Sequence, residues 1–208
     1  MERITTQEIE KIMTGYVPVG EKGFRHFAVM ALILDGREPE LIYEVRAKKL
    51  DRQPGEVCFP GGMIEEGETP LQCALRETRE EIGIPEERIR VICEMDQIHS
   101  TAGSQIHCFL GVIDEAVKDC IQPSQQEVDH VFTVSVNELL RMEPDMYVNK
   151  LIQEVDPAFP YDRVTEGRMY PWRSGTSPVP VYYAQDHVIW GLTGRMTRQL
   201  MEVLKCSR

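Results

Sequence analysis

The stretch that most constrains the fold of this chain is a double glycine at 61–62 followed by a capped helix. Proline opens the predicted helix, residues 70–82, and Thr69 and Gln72 have the spacing of a capping box around its first turn. Gly83 predicts a left-handed C-cap that ends the helix. The stretch therefore predicts a tight turn, which permits close backbone approach, followed by a helix of defined length.

This helix is predicted to have an apolar face and an acidic face. At 3.6 residues per turn, four residues share the face that should pack on a sheet: Leu71, Leu75, Thr78 and Ile82. Glu77, Glu80 and Glu81 share another face, which we expect to line a cleft. Like charges at Glu77 and Glu81 destabilise a bare helix by roughly 0.2–0.5 kcal/mol. A bound divalent cation turns this repulsion into a net stabilisation, because Mg²⁺ and Mn²⁺ prefer carboxylate oxygens as ligands. The alternative is a solvated acidic face that binds no ligand.

Composition excludes several classes of function. The chain has 208 residues and a net charge of −11, which argues against nucleic acid or an anionic membrane as its partner. No apolar run reaches about 18 residues, and residues 1–4 are charged with no apolar segment after them. We therefore predict neither a transmembrane helix nor a signal peptide, and a cytoplasmic protein. The six cysteines lack metal-ligand spacing and are predicted to be buried free thiols: Cys58, Cys73, Cys93, Cys108, Cys120 and Cys206.

Strand and helix patterns follow one another along the chain and predict an α/β domain. Strands are predicted over residues 27–34, 41–46, 88–97, 106–113, 131–136, 147–155 and 181–184. Further helices are predicted over residues 5–15, from 137 onward and over 189–204, and loops over 47–56, 99–104 and 156–180. We divide the chain into a helical extension, residues 1–22, and one domain, residues 23–208. A homodimer that forms through contacts of this extension is left as an alternative to a monomer.

The spacing within residues 62–84 resembles the Nudix box, the signature of Nudix hydrolases. Gly62 is followed by five residues, Glu68, seven residues and the run from Arg76 to Ile84. Thr78 occupies one position that is hydrophobic in the signature. The resemblance implies a Nudix-type α/β/α sandwich with a mixed β-sheet, and hydrolysis of a diphosphate linkage that depends on Mg²⁺ or Mn²⁺.

The resemblance also implies roles for particular residues. It assigns the metal to Glu77, Glu80 and Glu81, with the Gly62 carbonyl as a further ligand. Arg76 is expected to pair with Glu80 or with Glu68 and so to hold the catalytic carboxylates in position. The general base is Glu80 or Glu127, and the sequence leaves that choice open. A non-catalytic Nudix-fold binding module is the remaining alternative, although every carboxylate of the box is present.

A second resemblance, to coenzyme A pyrophosphatases, lies upstream of the box and extends over residues 27–204. Arg46-Ala47 and the run from Gly55 to Gly62, with Phe59-Pro60-Gly61-Gly62, have the spacing of that family's motif. The resemblance implies substrate contacts from Arg46, Arg52, Gly55, Phe59, Pro60 and Gly61. It implies coenzyme A as a small-molecule substrate, with 3′,5′-ADP and 4′-phosphopantetheine as products.

The sequence departs from the coenzyme A motif in two places. Asp51 stands where the family has a second arginine, with Arg52 beside it, and 43–45 read Tyr-Glu-Val where the family tends to have Leu-Leu-Thr. A carboxylate at that position repels a phosphate unless Arg52 takes the role of the missing arginine. Another nucleoside-diphosphate derivative, such as NADH or ADP-ribose, therefore stays open as the substrate.

Overall fold

A computed structural model describes residues 4–16, 23–100 and 103–207. Its strands are β1 (Arg25–Asp35), β2 (Glu40–Arg46), β3 (Val57–Cys58), β4 (Gly61–Met63), β5 (Arg90–Glu94), β6 (Ile98–Ser100), β7 (Ser104–Asp114), β8 (Val128–Ser135), β9 (Asp145–Leu151), β10 (Gly175–Ala184) and β11 (His187–Ile189). Its α-helices are α1 (Thr6–Met13), α2 (Pro70–Ile82), α3 (Val136–Arg141) and α4 (Gly191–Cys206). Short 3₁₀ turns lie at Glu86–Arg88, Glu115–Cys120, Tyr161–Arg163 and Gly167–Met169.

The main sheet is mixed. Strands β1 and β7 run parallel along their whole length, from Arg25 opposite Ser104 to Asp35 opposite Asp114. The other pairings in this sheet are antiparallel, in the order β3-β2-β1-β7-β5, with β4 on β1, β6 on β7 and β8 on β2. Strands β9, β10 and β11 form a second, antiparallel sheet.

Helices cover both faces of the main sheet. On one face, Cys73, Ala74 and Ile82 of α2 join a buried cluster with Met30 and Ile42 of the sheet. On the other, Met196, Leu200 and Met201 of α4 join a second cluster with Leu41, Tyr43 and Phe132. The Tyr43 hydroxyl and the Thr197 hydroxyl, both buried, form a hydrogen bond of 3.0 Å that ties α4 to β2. The predicted α/β/α sandwich with a mixed sheet is confirmed.

Several elements have different boundaries in the structure from those predicted. The strand predicted over 88–97 is a 3₁₀ turn followed by β5. The loop predicted over 99–104 includes the end of β6, which pairs antiparallel with β7. The strand predicted over 147–155 lies at Asp145–Leu151, and the predicted 156–180 loop gives way to β10 at Gly175. Proline content misled that prediction. Pro178 and Pro180 are two residues apart, so their nitrogens face the same side and leave the ladder with β9 intact.

The cysteine prediction was right about chemistry and wrong about burial. All six are free thiols. Cys73 and Cys108 are buried and Cys58 is partly buried, whereas Cys93, Cys120 and Cys206 are exposed. Periodicity alone does not distinguish these two groups, because Cys is small enough to occupy either face of a strand.

The N-terminal helix forms as predicted, but none of its residues from Thr6 to Met13 is buried. Residues 1–3, used for the expectation of no signal peptide, lie outside the described part of the chain, as do 17–22, where the expected domain boundary falls. Within the described residues, no helix has the length and apolar character needed to cross a membrane.

Candidate active site

The glycine turn holds β4 against β1 with almost no space between the two backbones. Gly62 pairs with Ala28, and the Pro60 carbonyl accepts a hydrogen bond of 2.9 Å from the Met30 N–H. A Cβ at Gly61 would overlap the Ala28 carbonyl and the Val29 Cα. The turn therefore requires glycine at 61, because any side chain would separate the two strands.

Helix α2 begins and ends as the sequence predicts. The Thr69 hydroxyl accepts from the Gln72 N–H at 3.3 Å, and the Gln72 side chain accepts from the Thr69 N–H at 2.9 Å. Gly83 adopts a left-handed conformation with φ of 76°. These caps fix the rotation and length of the helix, and so the positions from which its glutamates project.

The three glutamates of α2, at i, i+3 and i+4, project from the same side of the helix but differ in exposure. Successive helical residues lie about 100° apart, so neighbouring Glu80 and Glu81 must diverge. Glu81 is buried, 4% exposed, and accepts a hydrogen bond of 2.7 Å from the Gly61 N–H. The Glu80 side chain is 49% exposed on the outer surface of the helix, and Glu77 lies between them, 14% exposed.

The apolar face is rotated accordingly. Thr78 and Ile82 are buried as predicted, but Leu71 and Leu75 are only partly buried. Cys73 and Ala74, which the periodicity did not single out, are fully buried against the sheet. The burial of Glu81 requires this rotation, because the helix must turn its C-terminal acidic residue toward the glycine turn.

Arg76 makes both of the pairings that the sequence suggested. Its Nε and Nη2 donate to the two oxygens of Glu68 at 2.8 and 3.1 Å. Its Nη1 donates to Glu77 at 2.8 Å and to Glu80 at 3.1 Å. Planar guanidinium geometry suits such multiple contacts, so Arg76 fixes the two α2 carboxylates relative to the loop before the helix.

Gly62 is needed for a different reason than Gly61. A Cβ at Gly62 would overlap the end of the Glu77 side chain, so the carboxylate packs directly over the glycine. The Gly62 carbonyl lies on the other side and accepts from the Cys73 thiol at 3.6 Å. The turn thus brings a backbone carbonyl and a carboxylate into the same small region.

Glu44, on β2, is a carboxylate that the sequence analysis did not single out as a site residue. It is 1% exposed, and its Oε1 accepts a hydrogen bond of 3.2 Å from the Cys58 thiol. Its Oε2 is buried and has no hydrogen-bond partner within the described part of the chain. One signal was available: Glu44 interrupts an otherwise apolar run, residues 41–45, on a strand predicted to be buried.

Glu127 reaches the site through the loop that follows α2. The Gln122 and Ser124 N–H groups donate to the Ile82 and Glu81 carbonyls at 2.9 and 2.8 Å. The Glu127 carbonyl then accepts from the Ala47 N–H at 2.8 Å. The loop is therefore pinned to the end of α2 and to the end of β2, and Glu127 is exposed beside the buried carboxylates.

The carboxylates lie close enough to affect one another's ionisation. Burial, and then the charge of Glu44, raises the pKa of Glu81 well above its usual range. Burial also raises the pKa of Glu44, and the charges of Glu127 and Glu77 add to that shift. For Glu77, burial outweighs the guanidinium of Arg76 and raises its pKa as well. We call Glu44, Glu77, Glu81 and Glu127 the carboxylate cluster.

The expected substrate contacts divide into two groups. The guanidinium of Arg46 lies near the cluster, since its charge lowers the pKa of Glu44, and its Nε donates to the Arg52 carbonyl at 3.4 Å. Gly55, with φ of 75°, donates its N–H to the Arg46 carbonyl at 3.0 Å and so shapes this loop. Asp51 and Arg52 are both exposed. This end of the cleft presents the basic side chains.

Phe59 and Pro60 form the second group, in which the side chains are buried. The Phe59 ring is 2% exposed and stacks on Tyr43 at a centroid distance of 5.0 Å. Pro60 is buried as well. Because the side chains of Phe59 and Pro60 pack into the protein interior, only backbone atoms of this segment are left to contact a ligand.

A divalent cation fits the chemistry of these donors. Across the described residues, no three His, Cys, Asp or Glu side chains are already gathered around one point, because Arg76 and the Gly61 N–H each hold a carboxylate separately. Nevertheless, mutually repelling carboxylates, one of them with an unpartnered buried oxygen, lie beside the glycine turn. Hard oxygen donors of this kind suit Mg²⁺ or Mn²⁺.

An open cavity of about 490 Å³ adjoins the turn. Met63 and Ile64 form one wall, and Arg25 and His26 form another. Glu65 and Glu66 also line it, whereas none of the four glutamates of the carboxylate cluster does.

The chain is similar to known proteins over most of its length. Residues 24–171 match the NUDIX domain family. A NudL Nudix hydrolase of Photorhabdus laumondii is 26% identical over 179 residues, which is 86% of this chain and 84% of that protein. Nudix hydrolase 3 of Caenorhabditis elegans is 32% identical over 174 residues, 82% of this chain and 69% of that protein. Among solved structures, the C. elegans Ap4A hydrolase binary complex superposes with a TM-score of 0.46 at 19% identity, covering 55% of this chain and 83% of that one.

Proposed function

Because this chain belongs to the NUDIX domain family, we propose that it hydrolyses the diphosphate linkage of coenzyme A or its thioesters. The observation that carries the proposal is the carboxylate cluster beside the glycine turn, with Arg46 at its edge. Water adds to one phosphorus of the diphosphate and the bridging P–O bond breaks. The products are 3′,5′-ADP and 4′-phosphopantetheine, or its acyl form.

The proposed metal ligands are Glu77, Glu80, Glu81 and the Gly62 carbonyl. A Mg²⁺ or Mn²⁺ ion held there would neutralise diphosphate charge and lower the pKa of the attacking water. The chain supplies the positioning. Arg76 holds Glu77 and Glu80, and the Gly61 N–H holds Glu81, so each carboxylate has a fixed orientation before substrate arrives.

We assign the general base to Glu127 rather than to Glu80. Glu80 is engaged by two guanidinium groups, Arg76 at 3.1 Å and Arg79 at 3.7 Å. The Glu127 side chain makes no hydrogen bond or ion pair with the described residues, and its charge acts on both Glu77 and Glu81. A carboxylate that is exposed, unpaired and beside the metal ligands is better able to accept a proton from water.

Arg46 and Arg52 are proposed to bind the phosphates of the substrate. Arg46 is half-buried at the edge of the cluster, and Arg52 is exposed next to it in the same loop, so both are within the region proposed to hold the diphosphate. An arginine in a partly buried position binds phosphate with charge-assisted hydrogen bonds that are stronger than those of an exposed lysine.

A second candidate function is hydrolysis of another nucleoside-diphosphate derivative, such as NADH or ADP-ribose. One observation favours it: Asp51 is exposed beside Arg52, where the coenzyme A motif has an arginine. A carboxylate there opposes an additional phosphate such as the 3′-phosphate of coenzyme A, which NADH and ADP-ribose lack.

The test is product analysis after incubation with Mg²⁺ or Mn²⁺ and a panel of coenzyme A, acetyl-coenzyme A, NADH and ADP-ribose. We expect coenzyme A or its thioester to give the highest kcat/KM. Glu77→Gln should lower kcat/KM by at least about 100-fold through the metal. Glu127→Gln should lower kcat by about 10²–10⁴-fold, the usual contribution of a general base.

The matched control is Glu87→Gln, which makes the same chemical change at an exposed position outside the site and should leave kcat/KM unchanged. A higher kcat/KM for NADH or ADP-ribose would assign the second candidate function and mark Asp51 as a specificity determinant. No turnover of any substrate with either metal would contradict both and favour a binding module.

A further inference from the structure

We propose that Glu44 is an additional cation-binding residue of this site, contributing its Oε2 from strand β2 to a metal shared with Glu81. The inference rests on the metal dependence in the proposed function and extends it to a residue outside the Nudix box. It starts from an acidic side chain in the interior of the main sheet.

The Oε2 atom of Glu44 is the first observation. The residue is 1% exposed, and of its two carboxyl oxygens only Oε1 has a partner in the described part of the chain, the Cys58 thiol at 3.2 Å. A thiol is a weak donor, so even the partnered oxygen is poorly compensated. Buried carboxylates are retained when they are paired or when they coordinate a metal.

The direction of the side chain is the second observation. Tyr43 and Val45 belong to the cluster under α4, so Glu44 between them points to the opposite face of the sheet, toward α2. On that side β2 pairs with β3, with Glu44 opposite Cys58, and the chain turns from Cys58 into Gly61. The Gly61 N–H holds Glu81. Glu44 and Glu81 therefore approach the glycine turn from two different elements.

Mutual electrostatics support the same arrangement. Burial is the largest cause of the raised pKa of Glu81, and the charge of Glu44 is the second. The charges of Glu44 and Glu81 both raise the pKa of the Cys58 thiol. The neighbouring cation, Arg46, lowers the pKa of Glu44 but gives its Nε hydrogen bond to the Arg52 carbonyl instead. Two desolvated carboxylates thus share one region with no protein cation hydrogen-bonded to either among the described residues.

A divalent cation and a retained proton are the two ways to neutralise such a pair. They differ in what happens when Glu44 loses its charge. If the pair only shares a proton, Glu44→Gln does not weaken metal binding, because glutamine supplies the neutral form permanently and Glu81 then ionises more easily. If Glu44 binds the cation, the same substitution removes a charged ligand and weakens binding.

The experiment is a titration of the metal-free full chain with Mn²⁺, in which electron paramagnetic resonance measures the concentration of free Mn²⁺ at each step. We expect Glu44→Gln to raise the Mn²⁺ Kd by about tenfold or more relative to the unsubstituted chain. Glu40→Gln is the matched control, since Glu40 lies on the same strand but is paired with Lys118 outside the cluster, and it should leave Kd unchanged.

A thermal readout separates loss of a ligand from loss of the fold. Without metal, Glu44→Gln should melt at or above the temperature of the unsubstituted chain, because it removes a buried charge. Saturating Mn²⁺ should raise its melting temperature less than that of the unsubstituted chain. Glu44→Asp, which keeps the charge but withdraws the oxygens by one methylene, should also weaken Mn²⁺ binding.

Equal Kd values for the unsubstituted chain and Glu44→Gln, or a lower Kd for Glu44→Gln, would overturn the inference in favour of a retained proton, even if coenzyme A is hydrolysed. Failure of the unsubstituted chain to bind Mn²⁺ would overturn it as well. Mn²⁺ binding that depends on Glu44, without hydrolysis of coenzyme A, would support the inference and contradict coenzyme A as the substrate.

Discussion

Gly61 and Gly62 are adjacent, but what each one faces differs. A Cβ at Gly61 would meet backbone atoms of β1, whereas a Cβ at Gly62 would meet the end of the Glu77 side chain. Backbone in a paired strand cannot move without breaking the sheet, but a carboxylate at the end of a flexible side chain can rotate away. The first glycine is therefore a requirement of the fold, and the second is a requirement of the site.

Gly61→Ala should destabilise the protein by about 1–3 kcal/mol or more, the usual cost of forcing atoms into a packed interior. Gly62→Ala should unfold at nearly the same urea concentration as the unsubstituted protein. It should bind Mn²⁺ more weakly, because the added methyl group displaces Glu77. Urea denaturation measures the first effect and Mn²⁺ titration the second. Unchanged Mn²⁺ affinity in Gly62→Ala would argue against Glu77 as a ligand beside the turn.

At the scale of elements, two helices of the described chain begin with a capping box but lie in different surroundings. Thr5 and Glu8 form a capping box on α1, and Thr69 and Gln72 form one on α2. No residue of α1 from Thr6 to Met13 is buried, whereas α2 buries five residues against the sheet. The same local hydrogen bonds therefore act on a helix outside the core and on a helix that is part of it.

Thr69→Ala should cost about 1 kcal/mol of global stability, the usual value of an N-cap, and lower the melting temperature by about 2–4 °C. Thr5→Ala removes an identical cap but should leave the cooperative transition unchanged, because α1 contributes no buried surface to it. Differential scanning calorimetry of both variants tests this contrast. An equal loss in Thr5→Ala would show that α1 is part of the cooperative unit.

The carboxylate cluster affects the whole molecule through pH. Burial raises the pKa values of Glu44 and Glu81 above that of an unfolded glutamate, so the folded state retains protons that the unfolded state has lost. Their contribution to stability is present at acidic pH and is lost as pH rises through the raised values. Glu68 and Glu94, whose pKa values are lowered by Arg76 and His107, act in the opposite sense only at more acidic pH.

In the presence of a chelator, the melting temperature should therefore fall between about pH 7 and 8. In that range an ordinary histidine is largely neutral and an ordinary cysteine is largely protonated. Saturating Mn²⁺ should flatten this slope because a cation replaces the retained protons. Thermal melts at several pH values, with and without Mn²⁺, measure both slopes. A metal-free melting temperature that rises over this range would contradict the raised pKa values.

The sequence by itself determined the features that depend on spacing along one element. The caps at Thr69 and Gly83, the pairing of Arg76 with Glu68 and Glu80, and the Nudix box itself follow from positions on a single helix and the turn before it. The geometry of a helix is regular enough for such contacts to be predicted from residue numbers alone.

Only the tertiary structure decided which carboxylates meet. Glu81 is buried because β4 brings the Gly61 N–H to it, and Glu127 approaches because its loop is bonded to the end of α2. Glu44 joins them from β2, while Phe59 and Pro60 turn inward to the core. The physical reason is that these contacts depend on strand register and on the packing of α2, which bring together residues far apart in the chain and leave no local periodicity to read.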